Sequence, residues 1–201
     1  MTPKRIDRDA FFSGYRKRFG RLSQSQVDGL NDLLGFVERD ENFTDPRQIA
    51  YMLATVKHEC ADTWKPVVER GPIDYFDKYE PGTKIGDRLG NTEPGDGYRY
   101  RGRANYRRAG RRIGMNTLLL EDPDLVLKPG IAYQVMSVGM RWGIFTGKCI
   151  GDYIDGERCD YKNARRVING LDRWDVIARY AEAFEAILSE ALAERDGGKA
   201  A

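Results

Sequence analysis

Between Thr63 and Gly97 the chain carries Pro66, Gly71, Pro72, Pro81, Gly82, Gly86, Gly90, Pro94, Gly95 and Gly97, with few apolar residues among them. Proline fixes φ and removes an amide donor, and glycine frees the backbone, so no long helix or regular strand can run through this stretch. A turn-rich excursion of that length inside a compact protein is usually functional or mobile. Whatever else the chain folds into must carry this excursion and hold its ends.

The sequence before it is helical in pattern. Asp9 to Phe19 reads as a short amphipathic helix with Phe11, Phe12, Tyr15 and Phe19 on one side. Ser23 followed by Gln26 fits a capping box, and Val27, Leu30, Leu34 and Val37 then repeat at helical spacing. Asp45, with Pro46 at the first position and Gln48 at the third, opens a third helix. Its buried stripe is predicted to be Ile49, Met52, Leu53 and Val56, and it delivers His58 and Glu59 into the excursion, which carries Glu69.

After the excursion, Tyr98 to Arg103 (YRYRGR) reads as a short extended segment returning to the core, and Ala104 to Ile113 as a helix stopped by Gly114. Asp122 to Leu125 reads as a turn. Pro129 opens a helix with Ile131, Val135, Val138 and Trp142 as apolar members, ended by Gly143 to Gly147. Asp160 starts another, carrying Ala164, Val167 and Ile168 and stopped by Asn169 and Gly170. The last and longest is Trp174 to Ala193, with Ile177, Tyr180, Ala181, Phe184, Ile187 and Leu188 facing inward, and the tail Arg195 to Ala201 is expected to be disordered. No internal repeat is present, so the expected fold is mainly α, with minor short strands, in a single domain over 1–201.

Composition narrows the class. At 201 residues, with 41% hydrophobic and 32% charged, the chain suits one globular domain with a cleft, or at most two small lobes. No apolar run approaches the roughly 20 residues of a membrane span, so no stable membrane insertion is expected. The basic start lacks the apolar run and cleavage site of a secretory signal, which predicts synthesis in the cytoplasm. Cys60, Cys149 and Cys159 are too few and odd in number for a disulfide framework. Free thiols in a reducing compartment are expected, although Cys149 and Cys159 lie close enough in sequence to pair. The net charge of +2 hides an asymmetry, because Arg99 to Arg112 holds seven arginines and no acid. Such a face suits nucleic acid, phosphate or an anionic wall polymer, or is a solvated helix surface.

For chemistry, His58 is the only histidine, which excludes the paired-histidine zinc protease motif. The cysteines have no zinc-ligand spacing. Cys60 and His58 make a poor nucleophilic pair in a helix. Two carboxyls remain. Glu59, at the end of an apolar helix, is expected to be half buried with a raised pKa, and Glu69, in an open loop, to be solvated and ionised; that separation assigns an acid and a base. The residues alone equally allow Glu59 to be a surface group and Glu69 to pair with Arg70. Asn105 and Asn169 are amides that could read hydroxyl or acetamido groups, and Asn169-Gly170 also terminates a helix.

The order His58-Glu59, Glu69 in VERG, GDGYRYRGR (Gly95 to Arg103), Asn105-Tyr106 and RRVING (Arg165 to Gly170) resembles the glycoside hydrolase family 19 chitinase-like domains, more closely their phage and prophage endolysins. The resemblance covers almost the whole chain. It implies a lysozyme-like, two-lobed helical fold with a central cleft, and hydrolysis of β-1,4 links between amino sugars, in peptidoglycan or in chitin. Carried over, Glu59 resembles the general acid and Glu69 the second carboxylate of an inverting mechanism, which needs the carboxyls roughly 6.5 to 9.5 Å apart. His58, Tyr98, Tyr100, Arg101, Arg103, Asn105, Tyr106, Arg166 and Asn169 are the implied substrate-binding set. No cofactor or metal, no nucleic acid and a monomeric state are expected, with access to the wall through a holin or secretion system. The chain departs from the family after Arg103, where relatives insert a short run with aromatic, Gln and Thr residues before the asparagine-tyrosine pair. A wall-binding module without turnover is the rival reading that this shortening suggests.

Overall fold

The computed structural model describes residues 5–68, 72–100 and 102–193; Glu69, Arg101 and the tail from Arg195 on fall outside them. The protein is mainly α. Its helices are α1 (Arg8–Phe19), α2 (Gln24–Arg39), α3 (Pro46–Glu59), α4 (Lys84–Arg88), α5 (Asp96–Tyr100), α6 (Arg103–Arg112), α7 (Leu118–Glu121), α8 (Pro129–Trp142), α9 (Tyr161–Ala164) and α10 (Trp174–Ala193), with short 3-10 turns between. Strands β1 (Ile154–Asp155) and β2 (Arg158–Cys159) form one antiparallel hairpin. The chain divides into two compact units: a terminal unit of Met1–Lys65 with Cys149–Ala201, and an inserted unit of Pro66–Lys148.

The terminal unit is built around α3. Asp45 caps it, accepting from the Arg47 amide at 2.8 Å, and Pro46 occupies its first turn. Residues from Ile49 through Thr55 are all buried, so the helix is covered on every side rather than along the single stripe its periodicity suggests. Val56, predicted in that stripe, is only half buried, while Tyr51 and Thr55 lie inside. Each fully buried Leu, Ile or Met side chain contributes about 1.5–3 kcal/mol relative to exposure.

Helix α10 packs along α3 and also against α1 and α9. Its Phe184 sits among the rings of Phe11, Tyr15, Phe19 and Trp64, with centroids 5.0–6.4 Å away. Helix α1 begins one residue earlier than the sequence suggests, because Asp7 is its cap. The capping box of Ser23 and Gln26 is present at the start of α2. The Arg8 guanidinium holds the Glu38 carboxylate through two bonds of 2.9 Å, tying α1 to α2.

The hairpin was not anticipated. Its two-residue loop is Gly156-Glu157, with Gly156 at positive φ, and the hairpin is anchored from α3 by Gln48 donating to the Ile154 carbonyl and Arg47 to the Gly156 carbonyl, both at 2.7 Å. The helix predicted from Asp160 is shorter than expected. Asp160 does cap it, but α9 ends at Ala164 and tightens into a 3-10 turn over Arg165–Val167 before Asn169.

The inserted unit has a small apolar core of Ala109, Leu119, Val138 and Ile144, against which Tyr106, Ile113, Leu125 and Val135 pack. Two expectations fail here. Tyr98 to Arg103 is not an extended segment: Asp96–Tyr100 is the short helix α5, and Gly102 precedes α6 as its cap. The reason is local, since Asp96 folds back to accept from the Thr92 and Glu93 amides at 2.8 and 3.0 Å and so starts a helical turn. Trp142, predicted as an apolar member of α8, is 54% exposed; it is the last residue before Gly143 turns the chain in the left-handed region.

Glycine is needed for close approach at two places. A Cβ on Gly86 would stand 2.1 Å from the Glu80 carbonyl oxygen, and one on Gly97 would stand 2.8 Å from the Phe76 carbonyl oxygen.

Candidate functional site

The site in the terminal unit begins where α3 ends. Lys57, one of the few buried charged residues, holds its ammonium over the rings of Phe19, Tyr180 and Tyr15 at 4.7, 5.1 and 5.6 Å. The same ammonium donates to the Tyr15 hydroxyl and to the Asp62 carboxylate. Asp62 lies in a tight exit from the helix in which Ala61, Asp62 and Trp64 all adopt positive φ. That conformation is costly for residues with a Cβ. It is held by Lys57 and by Gln26 of α2, which donates to the Asp62 carbonyl at 2.9 Å. The last turn of α3 is therefore fixed from outside.

Glu59 occupies that last turn and its side chain is 43% exposed. It is exposed rather than half buried as expected. Against it stands Arg165, whose side chain is 3% exposed and donates to Glu59 Oε1 at 2.6 Å. Arg165 Nε donates to the Asp172 carbonyl at 2.9 Å, which fixes the plane of the guanidinium. A solvent-facing carboxylate is thus oriented by a buried cation. The exposed Asn169 follows one turn later, its amide on the Arg165 carbonyl at 3.0 Å and its Oδ1 accepting from the Gly170 amide at 2.8 Å. His58 is half buried beside Glu59, and Arg166 is exposed with Nε on Asn163 Oδ1 at 3.2 Å.

Behind Glu59 on the same face of α3 lie Thr55 and Tyr51, spaced by four residues. Both are buried, and neither hydroxyl makes a hydrogen bond of good geometry among the described residues. The Tyr51 ring stacks on Tyr161 at 6.1 Å and 10°. Burial pushes the Tyr51 hydroxyl well above the usual phenol range; the Thr55 hydroxyl and the Arg165 charge oppose this. Cys60 is a poor nucleophile for a physical reason, because burial raises its thiol pKa and the negative charge of Glu59 adds to it.

Arg165, Tyr51 and Thr55 are the residues that motif reading passed over. The i, i+4, i+8 spacing of Tyr51, Thr55 and Glu59 was available as a signal. The partnership with Arg165, 106 residues away, was not.

In the inserted unit the expected residues Tyr98, Tyr100, Arg103, Asn105 and Tyr106 lie on α5 and α6, and a polar network centres on the Asp96 carboxylate. This carboxylate is 3% exposed and meets Arg103 Nη1 at 2.9 Å. Burial alone would raise its pKa, but the Thr92 and Glu93 amides and the Arg103 guanidinium outweigh that and hold it below the usual carboxylate range. Asn91 accepts from the Arg103 amide at 2.8 Å and donates to the Tyr79 carbonyl at 2.7 Å. Glu80 accepts from the Gly95 and Gly97 amides at 2.7 and 2.9 Å.

Arg103 belongs to this network, and Tyr100 lies outside it. Tyr100 is buried, with its hydroxyl on the Leu120 carbonyl and its ring against Tyr106 at 5.2 Å. Asn105 and Tyr106 are half buried on α6. Tyr98 is the open one, 65% exposed and edge-on to Phe76 at 5.3 Å, a ring on which a sugar could stack.

All three cysteines are free thiols. Among the described residues no three of His, Cys, Asp and Glu gather as metal ligands, and no helix is long and apolar enough to cross a membrane. No protein-family model matches this chain, nor does any curated protein or solved structure.

Proposed function

We propose that this chain is a glycoside hydrolase that cuts β-1,4 links between the amino sugars of peptidoglycan, with Glu59 protonating the bridging oxygen and Glu69 activating water from the opposite face. The observation that supports the reading is the Glu59–Arg165 pair. The carboxyl is open to solvent, yet it is held at 2.6 Å by a guanidinium that is itself buried and locked to a backbone carbonyl. Ordinary surface ion pairs leave both partners free to move and contribute little. Fixing one partner in the protein interior orients the other, and orientation of a reacting group is a large part of catalysis. The exposed side-chain amide of Asn169, one turn after Arg165, offers a hydrogen bond to a sugar substituent.

In this reading Glu69 completes an inverting pair, Tyr98 stacks on a sugar ring, and the reaction needs two carboxyls and a water. The protein works as a monomer and reaches the wall by a holin or secretion system.

The test is Glu59→Gln assayed for release of reducing sugar from purified sacculi, with chitin as a parallel substrate. Loss of a general acid lowers the rate by about 10²–10⁴ while binding to sacculi stays close to wild type; the melting temperature falls, because the buried Arg165 guanidinium loses its charge partner, but the variant stays folded at the assay temperature. A variant as fast as wild type would remove Glu59 from the mechanism. Wild-type protein that binds sacculi and releases nothing would make the chain a wall-binding module.

A further inference from the structure

The exposed face of α6 is used neither by the core nor by the polar network. Arg107, Arg108, Arg111 and Arg112 are all exposed, and at about 100° per residue they cover an arc of about 140° on one side of the helix. The opposite side, with Ala109 and Ile113, is in the core. Among the described residues none of these four arginines meets a carboxylate; the ion pairs lie elsewhere.

Two exposed apolar side chains lie on the elements that pack against α6. Trp142 lies under the Arg112 guanidinium, 3.9 Å from its carbon to the ring centroid. Leu118, 50% exposed, stands at the start of α7, which packs on α6. The Asn116 backbone before it turns back onto α6, its amide on the Gly110 carbonyl at 2.9 Å.

We propose that this face is a peripheral docking surface for an anionic phospholipid bilayer. The charge complementarity is direct. Arginine forks bind headgroup phosphates bidentately, and stacking Arg112 on an indole leaves its in-plane N–H donors available. The two apolar side chains decide between polyanions. A nucleic acid rewards the cations and can stack on Trp142, but an exposed leucine gains nothing from a phosphodiester backbone. A bilayer surface accepts all three, since Trp and Leu settle at the level of the headgroups while Arg meets the phosphates. The inference goes beyond the hydrolase reading and does not depend on Glu59.

The experiment is co-sedimentation of the full chain with vesicles of phosphatidylcholine alone and of phosphatidylcholine mixed with phosphatidylglycerol, with duplex DNA as a competing probe. The protein partitions onto the anionic vesicles only, and less as salt rises. A basic residue at such a surface is worth about five-fold in partitioning, so the triple variant Arg107→Gln, Arg108→Gln, Arg111→Gln falls about a hundredfold with unchanged circular dichroism. Leu118→Ser weakens vesicle binding and leaves any DNA binding alone, and Glu59→Gln binds vesicles like wild type. The proposal is overturned by equal or absent binding to both kinds of vesicle, by a triple variant that binds like wild type, or by DNA binding that Leu118→Ser does not touch together with vesicle binding that it does not touch either.

Discussion

The terminal and inserted units solve the same problem with different materials. In the first, α3 is surrounded on all sides and α10 lays Phe184 into a cluster of rings, so apolar burial sets the arrangement and polar groups are pushed to the helix ends. In the second, α4 and α5 are five residues each, far too short to persist alone. Glu80, Asn91 and Asp96 join them by capturing backbone amides and a carbonyl, and Arg103 holds the Asp96 carboxylate. Where apolar residues are sparse, a buried polar network can take the place of a core, but only while each member is satisfied. Among the described residues each unit leaves buried polar atoms without a well-formed hydrogen bond, the Tyr51 and Thr55 hydroxyls in the terminal unit and Arg103 Nε in the inserted one; the inserted unit has little apolar packing to offset such a loss.

Three substitutions put that contrast at risk, the largest first. Phe184→Ala removes a fully buried ring from the aromatic cluster and is expected to cost about 3–5 kcal/mol in urea unfolding; a loss below about 1 kcal/mol would mean the terminal unit does not rest on that core.

Asp96→Asn should cost about 3 kcal/mol, because it leaves the Arg103 guanidinium without its charge partner. Faster hydrogen exchange is expected at the Thr92 and Glu93 amides and not in α3. This carboxylate titrates lower in the folded chain than in the unfolded one. Its contribution is thus complete above the unfolded value and disappears as pH falls through the folded one, below about pH 4. The Asn variant should lose less stability than wild type over that interval, and identical acid profiles would contradict the role given to Asp96.

The smallest effect is at Tyr51→Phe. Removing an unpartnered buried hydroxyl should leave stability unchanged or raise it by about 1 kcal/mol. A loss of that size instead would show the hydroxyl to be bonded, and the terminal unit to depend on polar contacts as the inserted one does.

Much of the helical content was legible because it depends on neighbours in sequence. The cap at Asp45 with Pro46, the capping box of Ser23 and Gln26, and the apolar periodicity of the final helix all appear where local pattern placed them. The failures share a cause. Tyr98 to Arg103 looked extended because Gly95 and Gly97 read as helix breakers and hid the turn that Asp96 starts by accepting from the Thr92 and Glu93 amides. Trp142 looked buried because periodicity cannot tell the last turn of a helix from its middle. The hairpin over 154–159 escaped because each strand has only two residues.

The site divides in the same way. That Glu59 ends an apolar helix was legible, since capping, periodicity and the proline- and glycine-rich stretch act within a few residues of one another; that it is exposed, and what it faces, was not. Arg165 comes from 106 residues away, brought there by the packing of α10 and α9 around α3, and no local rule encodes which side chain a folded chain places opposite a carboxyl.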